Sequence, residues 1–586
     1  MKFLSNVLAV IVGLFIFCMI FFFGIVLVAA LAGSSDDDVA IKRKSVIELD
    51  LANVNQDYGG KSNYTDFDYY DVRHDGLSDV LRAIQYAKSD DRIKGISILN
   101  NISALGAAQT RELRRQLEDF KKSGKFVVSY AEVYTQKDYY LNSVADTIYI
   151  NPVGNLEFKG LSSEVMFYKD LEDKVGVTVE VVRHGKYKSA AEPFLQNKMS
   201  DANRQQVTAL LNDVWQSVLA DISKSRKIPV QQLNTIADDL LARTPEMAKA
   251  QGLVDKIAYQ DTYENDIRKA LNVDADKEYN KIKILDYARK VGTTAGSSSK
   301  NKIAIVYAQG EILSGEGSEQ YVGEGSMRRA FQDAREDENV KAVVLRVDSP
   351  GGSALTSELI WREIELTKKV KPVVVSMGNV AASGGYYIAA GGNVIFAEEN
   401  TITGSIGVFG LLPNLTQLAT KVGIHTEQVN TNKNAAGYSP FLPLDPGFRS
   451  IAQSEVERIY NTFVARVSAG RHLTVAQVDS IGQGRVWSGK QALKIGLVDK
   501  IGGMDEAIKA AAKMAKVTDY KTRDYPEYEK NFRDLLSNLG LPFVNSKAGL
   551  IKEEIGEDNY RILEQLKQVS LRKGIQMMMP FRIEIH

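Results

Sequence analysis

The hexapeptide Gly-Leu-Val-Asp-Lys-Ile occurs twice, at Gly252 to Ile257 and at Gly496 to Ile501. It closes two long segments that match each other, and this limits the chain to one fold unit written twice. Reading backwards from the hexapeptide, Val127-Val128-Ser129 pairs with Val374-Val375-Ser376, and Tyr139-Tyr140 with Tyr386-Tyr387, at an offset of 247 residues. The offset is 245 at Lys188 and Lys433 and 244 at the hexapeptide. A slow drift of this kind means a few short deletions in loops, the way a duplicated domain diverges while keeping its core.

Within each copy, strand-like and helix-like runs alternate. Gly95 to Leu99, Lys125 to Tyr130 and Thr147 to Ile150 read as strands and Thr110 to Ser123 as an amphipathic helix. That alternation predicts an α/β fold with a buried parallel sheet and crossover helices. Asp201 to Lys227 reads as a long helix, with Asp445 to Gly470 as its counterpart. The expected organisation is an N-terminal anchor at 1–33, a first repeat at 44–291 and a linker at 292–300. A second repeat at 301–517 and a C-terminal extension at 518–586 complete it. The polar aromatic stretch Gln56 to Tyr70 reads as a loop, and Ile551 to Lys573 as a helix.

Val7 to Ala32 holds 26 residues without a charge, enough at about 1.5 Å per residue to cross a hydrocarbon core of about 30 Å. A transmembrane helix is the direct reading. A cleavable signal peptide is the alternative, since Ala30-Leu31-Ala32 resembles a cleavage site, but signal-peptide apolar cores usually run about 7–15 residues. Lys2 before the span and Asp36-Asp37-Asp38 after it favour an N-terminus inside and the bulk of the chain outside the cytoplasm. Lys plus Arg and Asp plus Glu are both 73, so no basic excess exists to hold nucleic acid. The one cysteine, Cys18, lies in the apolar leader, which removes internal disulfides and cysteine metal sites.

The two copies differ where chemistry would sit. The second reads Ala382-Ser383-Gly384-Gly385, while the first reads Thr135-Gln136-Lys137-Asp138. A Ser between Ala and Gly at a strand-to-helix turn is exposed to attack a carbonyl, and the helix N-terminus favours the anion that forms. A lone Ser there is more often a helix N-cap. The pairing with Asp348-Ser349-Pro350-Gly351-Gly352-Ser353, one strand-helix unit earlier, shifts the balance: paired glycines let backbone N–H groups approach a ligand, as an oxyanion hole requires. The first copy has lost both features.

A serine nucleophile needs a base. Five His exist and no Gly-x-Ser-x-Gly elbow. Burial lowers a Lys toward the neutral amine that can serve, and Tyr187-Lys188-Ser189-Ala190-Ala191-Glu192-Pro193-Phe194 sets a Lys among small and apolar neighbours. Lys433, at the equivalent place in the second copy, lacks the Glu-Pro-Phe continuation and remains the rival.

Those segments, with Asn379 to Tyr387 and Thr403-Gly404-Ser405-Ile406-Gly407, together resemble signal peptide peptidase A in its long, duplicated form. The resemblance implies tandem Clp-protease-like, crotonase-type domains behind one N-terminal transmembrane helix. It implies a serine peptidase that cleaves leftover signal peptides and other apolar peptides at a bacterial inner membrane, as a homotetramer and without metal, nucleotide or redox cofactor. Carried over, Ser383 is the nucleophile, Lys188 the general base, Gly352 and Gly384 the oxyanion donors, and Ser405 the residue that orients the Lys amine. Asp348 stands where many relatives are expected to carry Asn, and is expected to face away from the oxyanion hole. Two rival readings are a crotonase-type acyl-CoA enzyme and a non-catalytic membrane scaffold.

Overall fold

The computed structural model describes residues 2–33, 40–64, 69–294, 299–530 and 576–579. Two parallel sheets repeat each other strand for strand. In the first, the order is Lys256–Ile257, Thr147–Leu156, Phe126–Tyr134, Ile93–Leu99, Ser45–Glu48, Lys281–Lys283. In the second, Lys500–Ile501, Val394–Ala397, Val373–Ala382, Val340–Ser349, Lys302–Gln309 and Lys521–Tyr525 take the same places. Two further strands, Ile402–Gly404 and Val486–Ser488, extend the second sheet beside the end of Val373–Ala382. The central strands are apolar on both faces: Val343, Val344, Leu345, Val373, Val374 and Val375 are fully buried. That is the pattern of a parallel sheet covered on two sides. Ala107–Lys121 and Ala354–Lys368 are matching helices, as are Asp201–Arg226 and Pro446–Arg471.

The extension after the second copy does not stand apart. Lys521–Tyr525 is the outer strand of the second sheet, in the place that Lys281–Lys283 holds in the first. Gln56 to Tyr70, expected as a loop, contributes strand Lys61–Tyr64, which pairs with Tyr69–Val72 and, in parallel, with Glu527–Lys530. The difference has a physical cause: strands of four residues are too short to leave a periodic trace, and the third strand of this sheet, Glu527–Lys530, lies hundreds of residues away. The expected helix Ile551 to Lys573 lies outside the described residues.

The two copies share a third sheet. Its order is Tyr321–Gly323, Glu311–Leu313, Gly351–Ser353, Gln576–Met578, Val408–Asn414, Thr178–His184. The last pair joins first copy to second in an antiparallel ladder from Thr178–Asn414 to His184–Val408. Buried ions tie them elsewhere. The guanidinium of Arg346, on a central strand of the second copy, lies 2.7 Å from Asp57 and 2.8 Å from Glu112, and all three are buried.

At the N-terminus, Lys2–Gly33 is a single helix whose described apolar side chains, Val7 to Phe21, are exposed. Among the described residues, no helix is long and apolar enough to cross a membrane.

Candidate active site

Ser383 caps the end of strand Val373–Ala382 and starts helix Gly384–Ala389. Its backbone has φ 55° and ψ −115°, a region sparsely used by residues with a Cβ, and its side chain makes no capping bond. The N-cap reading of this serine is therefore not what the hydroxyl does. The turn is held instead by backbone: Ser383 N–H donates to the Gly404 carbonyl at 2.8 Å, and Tyr387 N–H donates to the Ser383 carbonyl at 2.8 Å. Strain of this kind concentrates where side-chain placement matters. The glycines that follow have a packing reason. A Cβ on Gly385 would lie 2.5 Å from the Ser349 carbonyl oxygen, and one on Gly384 would lie 2.7 Å from Ser357 Oγ.

Lys188 arrives from the first copy on the turn after strand Thr178–His184. The ladder with Val408–Asn414 carries that turn into the second copy, where Tyr187 N–H donates to the Gln483 carbonyl at 2.8 Å. Gly484 is required there, since a Cβ would lie 2.6 Å from the Lys188 Cβ. Lys188 Nζ lies 2.9 Å from Ser383 Oγ, 3.0 Å from Ser405 Oγ and 3.2 Å from the Ser405 carbonyl oxygen. All three residues are fully buried. Burial alone pushes the Lys188 amine well below the usual lysine range, with no carboxylate close enough to oppose it. The structure thus brings Lys188, Ser383 and Ser405 together from three segments. Lys433 is exposed, in a turn near Asn432 and Ala435.

Gly351 and Gly352 both have positive φ, 95° and 154°. A Cβ on Gly384 would lie only 3.2 Å from the Gly352 nitrogen, so the two predicted donors are neighbours. Asp348 faces away from them, as expected. Its Oδ1 accepts from Val380 N–H at 2.9 Å, and its Oδ2 accepts from Gln109 Nε2 at 3.2 Å and Asn379 Nδ2 at 3.3 Å. Burial, with the Asp57 charge nearby, raises this carboxyl to about 7.

Sequence reasoning missed the residues that hold the lysine turn. Gln206 Nε2 donates to the Tyr187 carbonyl at 3.1 Å and to Ser189 Oγ at 3.0 Å, while its Oε1 accepts from Val486 N–H at 3.2 Å. Asn203 accepts from Ser189 Oγ and donates to Glu192. The signal was present in Ser189 and Glu192 of the lysine motif, which need polar partners if that motif is buried.

Residues 119–274 and 365–518 each match the model of Peptidase family S49, one stretch in each copy. The chain belongs to this family. Its S49 membership is joined by likeness to curated relatives over most of its length. It is 38% identical to Protease 4 of Haemophilus influenzae over 446 residues, 74% of this chain and 72% of that one. With Protease 4 of Salmonella typhi the figures are 36% over 475 residues, 79% and 76%. With the chloroplastic serine protease SPPA of Arabidopsis thaliana they are 32% over 486 residues, 80% and 71%. The S49 chain is accordingly a serine peptidase of the signal peptide peptidase A type, in duplicated form. Family membership sets aside both the acyl-CoA enzyme and the non-catalytic scaffold.

Proposed function

We propose that the chain is a membrane-anchored serine endopeptidase that hydrolyses cleaved signal peptides and other apolar peptides through a Ser383/Lys188 dyad. The observation that carries this reading is the buried Lys188 amine at 2.9 Å from Ser383 Oγ, with its proton affinity lowered by burial. A neutral amine at that distance can take the hydroxyl proton as Ser383 attacks a peptide carbonyl. The resulting oxyanion is held by the N–H groups of Gly352 and Gly384, donors whose individual removal typically costs about 10²–10³ in rate. Lys188 returns the proton to the leaving amine, and water, activated by the same amine, resolves the acyl-enzyme. Ser405 fixes the amine through its Oγ and carbonyl. No metal or cofactor takes part.

The first repeat, 44–291, supplies the base, and the second, 301–517, the nucleophile, with 292–300 as linker and 518–586 as extension. Residues 1–33 anchor the chain in a bacterial inner membrane, N-terminus in the cytoplasm and catalytic bulk outside it. Exposed apolar side chains from Val7 to Phe21 support the anchor, since water would not leave such a face uncovered. A homotetramer is the assembly we assign.

The test is labelling with a fluorophosphonate, followed by peptide mapping, beside hydrolysis of an apolar reporter peptide. Label on Ser383, loss of hydrolysis in Lys188→Ala and retention in Lys433→Ala are expected. Retention in Lys188→Ala with loss in Lys433→Ala overturns the assignment. Resistance of the full chain to alkaline extraction from membranes tests the anchor.

A further inference from the structure

The ladder between strands Val340–Ser349 and Val373–Ala382 breaks just before the site. Val347 pairs with Met377 and Ser349 with Ala381, so Asp348 alone faces Gly378-Asn379-Val380. Such a bulge bends its strand and re-aims the side chains beyond it, and the residue after Ala382 is Ser383. The opposite strand leads from Asp348 into Gly351 and Gly352. What holds the bulge therefore sets the nucleophile against the oxyanion loop.

The Asp348 carboxyl takes the place of a regular ladder there. Its Oδ1 accepts from Val380 N–H at 2.9 Å and its Oδ2 from Asn379 Nδ2 at 3.3 Å. Gly378 makes room, since a Cβ on it would lie 3.0 Å from Asp348 Cγ. The first copy reaches into the same bulge with Gln109, from the first turn of helix Ala107–Lys121. Gln109 Nε2 donates to Asp348 Oδ2 at 3.2 Å and to Asp57 Oδ1 at 3.0 Å, and Gln109 N–H donates to Asn379 Oδ1 at 3.1 Å. Asn379 thus caps that helix from the other copy, because the helix's own N-cap residue is Gly106, which has no side chain to do so. In the first sheet Asn100, one residue past the last pair Leu99–Tyr130, accepts from Glu132 N–H at 2.8 Å, the same device in amide form.

We propose that Asp348 and Gln109 are positioning residues for the hydrolysis: together they fix the bulge, and with it the setting of Ser383 against the N–H groups of Gly352 and Gly384. The inference rests on the Ser383/Lys188 reading. On that reading the first copy supplies, besides the base, the register of the second copy's site. The charge on Asp348 decides how firmly the bulge is held. An ionised carboxylate accepts from all three donors. A protonated one brings a further hydrogen to a place where Val380, Asn379 and Gln109 already present theirs, and one contact opens. Burial, then the Asp57 charge, raises this carboxyl to about 7, against the pull of Arg346, which is itself shared with Asp57 and Glu112. The hold therefore tightens as pH rises through about 7. Asp348→Asn puts an NH2 group in place of one oxygen and keeps the looser state at every pH.

The experiment follows kcat and KM for an apolar reporter peptide, with the rate and final extent of fluorophosphonate labelling at Ser383. Full-length wild type, Asp348→Asn and Gln109→Ala are compared from about pH 5.5 to about pH 8.5. The ratio of wild-type to Asp348→Asn kcat is expected to rise about fivefold through neutral pH, since the Lys188 ionisation is common to both and cancels. Stability moves the other way, because a carboxyl with a raised pKa favours the folded state only while protonated, so a folding effect does not imitate this result. Gln109→Ala is expected to lower kcat and the labelling rate about tenfold, with KM within about twofold and labelling still complete. A kcat ratio that is flat or falls with pH, or a Gln109→Ala protein that matches wild type or loses only labelling extent, overturns the proposal and leaves the dyad standing. Wild type that takes no label at Ser383 and does not hydrolyse the reporter overturns both readings.

Discussion

Lys188→Met separates a buried neutral base from a buried structural cation. Methionine approximates the length of the lysine stem and removes the amine, which in the folded chain neighbours Ser383 Oγ, Ser405 Oγ and the Ser405 carbonyl. Loss of general-base catalysis alone costs about 10²–10⁴ in rate, and here no second base is at hand. Among the described residues, the hydrogen-bond partners of Ser383 Oγ are Lys188 and, at 3.5 Å, the Gly407 carbonyl. Hydrolysis is therefore expected to fall by at least about 10³. The stability effect is the sharper test. Unfolded, the amine keeps a proton until about pH 10.4; folded, burial strips it well below that. Between the two values the unfolded chain holds one more proton than the folded one, so wild-type stability rises with pH by about 1.4 kcal/mol per unit from this site. The variant lacks that slope. Its lost hydrogen bonds, about 1 kcal/mol each, shift the comparison by a constant and do not mimic it. Denaturant titrations of both proteins at several pH values between 7 and 9.5 read the difference directly. Wild type should gain on Lys188→Met steadily across this range. Parallel curves would mean that Lys188 is charged in the folded protein, which refutes the neutral-base argument.

Ser405→Ala removes the 3.0 Å contact to the Lys188 amine but keeps the carbonyl contact, so kcat should fall about tenfold with KM little changed in steady-state kinetics. Gly352→Ala places a Cβ 2.0 Å from the Ile312 carbonyl oxygen at a φ of +154°, and should abolish activity and lower Tm by roughly 5 °C by calorimetry. Asp348 keeps its proton to about 7 when folded but only to about 4 when unfolded. Wild-type stability from this group is full below about 4 and lost as pH rises to about 7, so Asp348→Asn should gain on wild type across that window in thermal melts and run parallel above it. Arg346→Met strands the buried carboxylates of Asp57 and Glu112 and should cost about 3–5 kcal/mol in urea unfolding.

What the sequence revealed follows from range. The duplication, the Ser383 turn and the Lys188 motif are runs of neighbouring residues, and local runs keep their signature whatever they pack against. The parallel sheets with crossover helices follow from the same alternation, whereas their strand order does not, because it depends on pairings between segments far apart in the chain. Asp57 was invisible because its value depends on Arg346, nearly three hundred positions away, and it sits in a stretch whose polarity reads as loop. Gln206 was hidden for a similar reason: on a long helix a polar residue reads as a solvated face until the lysine turn is found beneath it. The placement of Gln576–Met578 in the third sheet is the extreme case, since the strand has no partner near it in the chain.

The distribution of the proposed dyad follows from what each copy's loops now hold. Gln136, the counterpart of Ser383, accepts from the N–H groups of Lys159 and Gly160, both at 2.9 Å, and donates to the Gly160 carbonyl. Its amide thus closes the first copy's site with three hydrogen bonds and leaves no hydroxyl to activate. Lys433, the counterpart of Lys188, is exposed in a turn beside Asn432 and Ala435. Lys188 escapes that fate only because Gly484 and Gly407 of the second copy let its stem pass: a Cβ on Gly407 would lie 3.2 Å from the Lys188 Cδ. The Lys188 amine is therefore buried in the second copy's interior although its backbone belongs to the first. Burial that neutralises the amine and proximity that aims it at Ser383 come from the same packing, which is why neither half carries a complete site.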